Sequence, residues 1–149
     1  MPHPKARTAA LHASPEDAEA QFYEALRDAD VERVMAVWAD DDEIVCVHPG
    51  GARVVGPRAV RVAFESLFAS GHIVVHPEHV KQVHAMGCAV HSVLERIDVV
   101  TVEGPQTGWI VATNVYVKTS QGWRMVAHHA SPGAPDEIPE IVDAPSVLH

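Results

Sequence analysis

The sequence predicts an α+β fold in which three N-terminal helices are wrapped by a strongly curved antiparallel sheet, made of a short hairpin and four long strands. Three observations carry that prediction. Apolar residues recur at spacings of three and four through most of the first 70 positions, the spacing that lines one face of a helix. From His72 the pattern changes to long β-branched runs, whose connections are too short for crossover helices, so neighbouring strands must run antiparallel. Between the second and third helical stretches, Asp40 to Gly56 reads as two short strands joined at Pro49-Gly50-Gly51, which puts His48 where the first strand ends. A sheet that curls around its helices leaves a cone-shaped cavity at its open end, a ready ligand pocket.

Each element has its own justification. Residues 1–13 contain Pro2 and Pro4 and show no periodicity, so a loose leader is expected there. Ser14-Pro15-Glu16-Asp17 starts a helix: Ser14 can cap, Pro15 suits the first helical position, and the acids favour the positive end of the dipole. Phe22, Leu26 and Ala29 form its apolar face. After a break at Asp28-Ala29-Asp30, Val31, Val34, Met35 and Trp38 repeat at helical spacing, a stripe that reads first as core. Gly56-Pro57 opens a third helix with Val60, Phe64, Leu67 and Phe68 as its stripe, and Gly71 ends it. Strands are expected over Ile73 to Met86, Ala89 to Val102, Gly108 to Lys118 and Gly122 to Ala130, with Pro77 marking an edge or a bulge. These elements make one domain over 14–131, followed by an extended proline-rich acidic tail over 132–149.

Composition limits the function. At 149 residues and 47% hydrophobic the chain can bury a core without staples. Its formal charge of −9 repels phosphate backbones and anionic lipid, so neither nucleic acid nor a membrane surface is an expected partner. No apolar run approaches a membrane span. Two cysteines, Cys46 and Cys88, both in apolar runs, read as reduced core thiols, and a cytoplasmic location is the default.

The helix pair, Trp38-Ala39-Asp40-Asp41-Asp42, the hairpin with Pro49-Gly50, Gly56-Pro57 and the closing run from Gly122-Trp123-Arg124 to His128-His129-Ala130-Ser131 resemble the SnoaL-like branch of the nuclear transport factor 2 superfamily. The resemblance covers about residues 15 to 132, and the closing strand is similar to a subgroup marked by His-His-Ala-Ser. It implies the cone fold and a dimer, while the reactions this cone hosts include isomerases, hydrolases and cyclases. The ketosteroid isomerases of the superfamily carry a general-base aspartate before a hairpin proline, where this chain has His48. Their oxyanion tyrosine on the first helix matches Phe22, with Tyr23 beside it, and their second oxyanion donor falls near Thr113. Moving an enolisable proton needs a base and oxyanion donors, and Phe22 donates nothing, so the resemblance does not extend to the steroid reaction.

Two function classes follow. In the first, the cone is an enzyme site for a small, mostly apolar molecule, with acid/base chemistry of isomerase, hydrolase or cyclase type. His48 is the proton-transfer group, because an imidazole with a pKa near 6.5 exchanges protons at physiological pH. Unbroken alternation along the last strand turns Trp123, Met125, Ala127 and His129 inward, making His129 its partner, and the same parity turns Trp109, Val111 and Thr113 inward. A bulge would reverse these assignments. Trp38 and Cys46 complete the expected lining with Phe22, Tyr23, Trp109, Thr113 and Trp123. Glu95 faces inward on one parity and Arg96 on the other, and an inward Glu95 would orient His48. In the second class the domain is a ligand-binding or assembly module. Ile110, Ala112, Tyr116 and Val126, opposite the presumed core set, predict a homodimer through the outer sheet face. A metal held by His48, His129 and an acid ranks third: His72, His76, His79, His84 and His91 are spread over two strands without a compact ligand motif, so no cofactor or metal is expected.

Overall fold

The structure is a computed structural model that describes residues 12–71, 73–133 and 137–143. Among these residues three helices, α1 (Pro15–Arg27), α2 (Val31–Val37) and α3 (Pro57–Ala69), alternate with or precede six strands. The strands are β1 (Val45–Val47), β2 (Arg53–Val55), β3 (Val74–Ala85), β4 (Cys88–Thr101), β5 (Gly104–Thr119) and β6 (Gly122–Pro132), in sheet order β2-β1-β6-β5-β4-β3. The leader expected over 1–13 lies outside the described residues except for its last two, and there His12 is buried with its carbonyl accepting from the Trp123 amide at 2.8 Å. Among the described residues no helix is long and apolar enough to cross a membrane.

Local chemistry sets the helix ends. Ser14 accepts from the Asp17 amide, and Asp30 caps α2 by accepting from Arg33. Between the two helices Ala29 takes a left-handed φ of 51°. Its amide donates to Leu26 O and that of Asp30 to Ala25 O, at 3.1 and 3.0 Å, the paired bonds of a Schellman stop.

α1 packs against both β3 and β6, although two strands separate them in the sheet. At about 4.8 Å per strand step, one helix can touch both only if the sheet curls around it, which gives the open cone. The core between helices and sheet is built on Phe22, Val34, Trp38, Ile44, Val60, Phe64 and Met125. Phe22 and Phe64 meet edge to face at 6.0 Å.

Three details differ from the sequence expectation. The sheet is mixed: β1 pairs antiparallel with β2 but parallel with β6, because the meander fixes the direction in which its last strand arrives beside β1. β5 starts four residues early, at Gly104, since Val102-Glu103 suffices as a turn and Thr101 pairs with Gly104. β6 carries a bulge: Val115 pairs with Ala127 and Tyr116 with Met125, leaving Val126 as the extra residue. Beyond it the side chains swap faces. Met125, His128 and Ala130 are buried, and His129 is exposed. Pro77 behaves as expected, on edge strand β3 beside a register shift between Glu78 and Lys81, where His79 adopts a φ of 50°.

Candidate functional site

The open end of the cone holds a cavity of about 280 Å³. Its walls are apolar, from Leu26 and Ala29 at the end of α1, Phe64, Leu67 and Phe68 of α3, and Val75, Ile97, Ile110 and Ala130 of the sheet. Among the described residues three titratable side chains face it: His48, His128 and Glu95.

His48 follows β1 and enters the tight turn that leads to β2. Gly51 N donates to His48 O at 2.8 Å, and Gly50, with φ +75°, occupies the third turn position, where a side chain would be strained. Cys46 pairs with His128 across the parallel β1–β6 ladder, and alternation turns both Cys46 and His48 inward. The two imidazole rings therefore stand 6.4 Å apart, with Phe64 edge-on to His48 at 4.9 Å. Burial lowers the pKa of His48, and Nε2 of that ring is buried with no partner among the described residues.

His128 sits deeper. Burial pushes its pKa down to about 3, helped by the nearby His48 and His129, so the ring is neutral. Its Nδ1 lies 2.5 Å from Asn114 Oδ1, an acceptor, so that nitrogen carries the proton and Nε2 keeps its lone pair. Asn114 is itself fixed: Nδ2 donates to Tyr23 Oη at 2.9 Å and to Glu19 Oε2 at 3.3 Å. Tyr23 Oη then donates to Glu95 Oε2 at 2.7 Å. Glu19 Oε2 also accepts from Tyr116 Oη and faces His91 Nδ1, each at 2.8 Å. One network from α1, β4, β5 and β6 thus orients two of the three polar groups of the cavity. The Glu95 carboxyl is raised to about 7, chiefly by burial; the Tyr23 bond works against this and the Glu19 charge with it. Near neutral pH it is a carboxylic acid about as often as a carboxylate.

The residues expected at the site fall into three groups. Glu95 and His48 line the cavity, and Arg96 points outward to Glu78. Tyr23 stands behind Glu95; Phe22, Trp38 and Cys46 are core, with burial pushing the Cys46 thiol up to about 12. Trp123 is half-buried against the same core. His129, Thr113 and Trp109 correct the expectation. All three lie on the outer face, because the Val126 bulge reverses β6 and β5 turns its even-numbered residues inward. Ala112 and Tyr116, expected outside, are fully buried, and Ile110 lines the cavity. The cone accepts Asn114 and Tyr116 at the cost of burying polar groups because Glu19 and Tyr23 satisfy them. Sequence reasoning left His128 as the alternative to His129 should a bulge intervene, and it missed Asn114 and Glu19. Two signals pointed to them: an asparagine inside a β-branched run, and a glutamate among Ala18, Phe22 and Ala25 on the buried side of α1.

Comparison with known proteins agrees with this architecture. The model of the SnoaL-like domain family matches residues 16–135. A solved structure from Thiobacillus denitrificans, named for the association domain of calcium/calmodulin-dependent protein kinase type II, is 36% identical, with a TM-score of 0.76 over 83% of this chain and 98% of that one. One from Streptomyces avermitilis, named as a dehydratase of the NTF2-like family, is 28% identical, with a TM-score of 0.70 over 78% and 91%. An NTF2-like protein of unknown function from Pseudomonas putida, at 21% identity and a TM-score of 0.71 over 89% and 94%, shares the fold. Among curated proteins none matches the chain by sequence. The match to the family model spans most of the chain, from the first turn of α1 past the end of β6, and the chain belongs to the SnoaL-like domain family.

Proposed function

We propose that the cavity binds a small, mostly apolar molecule bearing a carbonyl and moves a proton at the carbon beside it, chemistry of the isomerase or dehydratase type. The observation that carries this is the set of three titratable groups, His48, His128 and Glu95, on one otherwise apolar cavity, all held toward their uncharged forms by burial. In this reading His48 takes the proton through its unpartnered ring. Protonated Glu95 donates to the carbonyl oxygen, where charge develops. His128 accepts from a substrate hydroxyl through Nε2 and stays neutral throughout. A volume near 280 Å³, just below the usual span of ligand sites of roughly 300–1,000 Å³, suits a molecule of one or two rings. The relative named as a dehydratase supports the same reaction class, and two free cysteines suit a cytoplasmic setting.

The test is a thermal-shift screen of cyclic ketones, enones and hydroxyketones, followed by NMR detection of deuterium uptake at the carbon beside the carbonyl. A stabilising compound that exchanges with wild type, and not with His48→Ala, is the expected result. Stabilisation without exchange in any compound would reduce the site to a binding pocket. No stabilisation at all would favour a second reading, a homodimeric assembly module built on the outer sheet face. That reading draws on the relative named for an association domain and on half-buried Val111, Val115 and Val117 along the outside of β5. Sedimentation of wild type and Val115→Asp tests it: loss of a dimer in the variant supports it, and a monomeric wild type excludes it.

A further inference from the structure

We propose that Glu16, His84 and His91 form a binding site for a divalent transition-metal ion of zinc type, outside the cone cavity. The site is assembled from three elements, α1, β3 and β4. His84 pairs with Ala89 and Gln82 with His91 across the β3–β4 hairpin, so the two histidines are diagonal neighbours on the same sheet face, their rings stacked at 5.9 Å. α1 crosses that face, placing Glu16 beside His84 and Glu19, one turn on, behind His91. One ligand atom from each of Glu16, His84 and His91 lies within 4.8 Å of the other two.

His91 makes this more than a surface cluster. Its side chain is fully buried, Nδ1 is 2.8 Å from Glu19 Oε2, and Nε2 is buried without a partner among the described residues. A carboxylate that holds one imidazole nitrogen, so that the other presents its lone pair, is the arrangement that supports metal-bound histidines. Leaving that second nitrogen unsatisfied in the interior is unfavourable, and a cation removes the penalty. Glu16 Oε1 and His84 Nε2 stand 3.5 Å apart, close to the edge of a tetrahedron with metal–ligand bonds of about 2.0–2.1 Å. Both side chains are about half exposed, free to close the remaining distance to His91 and open to an entering ion. Two imidazoles and one carboxylate match zinc; magnesium and calcium prefer oxygen alone. Three protein ligands leave a fourth position for water. The metal site is independent of what the cavity binds, although Glu19 also anchors Asn114 and Tyr116 and so links the two places.

The experiment is a calorimetric titration of the full metal-free chain with zinc chloride. One equivalent should bind per chain, and His84→Ala and Glu16→Gln should each weaken it by at least about tenfold. His76→Ala, on the same strand beside Asp98, should leave it unchanged. Both altered positions are exposed, and circular dichroism checks that the variants fold. Cobalt(II) in place of zinc should give the visible bands of a four-coordinate ion in wild type and lose them in His84→Ala. Absence of stoichiometric zinc, or wild-type affinity retained in either ligand variant, overturns the proposal.

Discussion

Replacing Glu95 by glutamine should stabilise the protein at pH 8 and leave it nearly unchanged at pH 4.5. The amide keeps an oxygen for the Tyr23 hydroxyl, which donates to Glu95 at 2.7 Å, and removes the ionisation. Burial lifts the carboxyl from 4.5 to about 7. Between those values the folded chain holds a proton that the unfolded chain has released, so stability falls as pH rises through the window and levels off above it. At about 1.4 kcal/mol for each pH unit, the ionised group burdens the fold by about 3 kcal/mol at pH 8. For a chain of this size that is roughly 6–12 °C in melting temperature. Urea unfolding of both proteins at pH 4.5, 6 and 8 measures it. A variant no more stable than wild type at pH 8, or a gap that is the same at pH 4.5 and 8, would refute the reasoning. The burden is the kind a binding site imposes: a carboxyl kept in an apolar cavity against the interest of the fold.

The acid side has the opposite sign. His128, lowered to about 3, stays uncharged in the folded chain while the unfolded chain takes up a proton below 6.5, so stability falls with pH, by about 2–3 kcal/mol at pH 4.5. The same urea series on His128→Asn, which preserves a donor toward Asn114, should show a smaller acid loss. Tyr116→Phe removes one donor from buried Glu19 and should cost about 1.5–3 kcal/mol by urea midpoint at pH 7. Ala29→Gly, at the left-handed residue between α1 and α2, should gain roughly 0.5–1 kcal/mol in the same assay, because glycine adopts that φ without strain.

Much of the fold was legible because its signals are local. Ser14 and Asp30 cap the helices they precede, Pro49-Gly50 makes the turn, and the spacing from Val60 to Phe68 lines α3. His48 could be assigned to the cavity for the same reason, since the hairpin that carries it is read from a few adjacent residues. The deeper half of the site was not legible. Val126 is one β-branched residue among others, and nothing in Arg124 to Ala127 marks it as the extra residue that turns His128 inward and His129 outward. Asn114 and Tyr116 are inside because of Glu19, 95 and 97 positions away, and no neighbouring residue announces that pairing. An apolar-inside rule picks Val111, Val115 and Val117 instead, which lie half-buried on the outer face.

At the centre of the cone two neutral imidazoles meet, one of them locked by Asn114 with Nε2 free. Nitrogen NMR of the histidine rings against pH tests this most directly. His128 should be found as the Nδ1–H form, uncharged from pH 8 down to pH 4.5, and His48 should titrate below 6.5. An Nε2–H form of His128, or both rings charging near 6.5 as exposed histidines do, would contradict it.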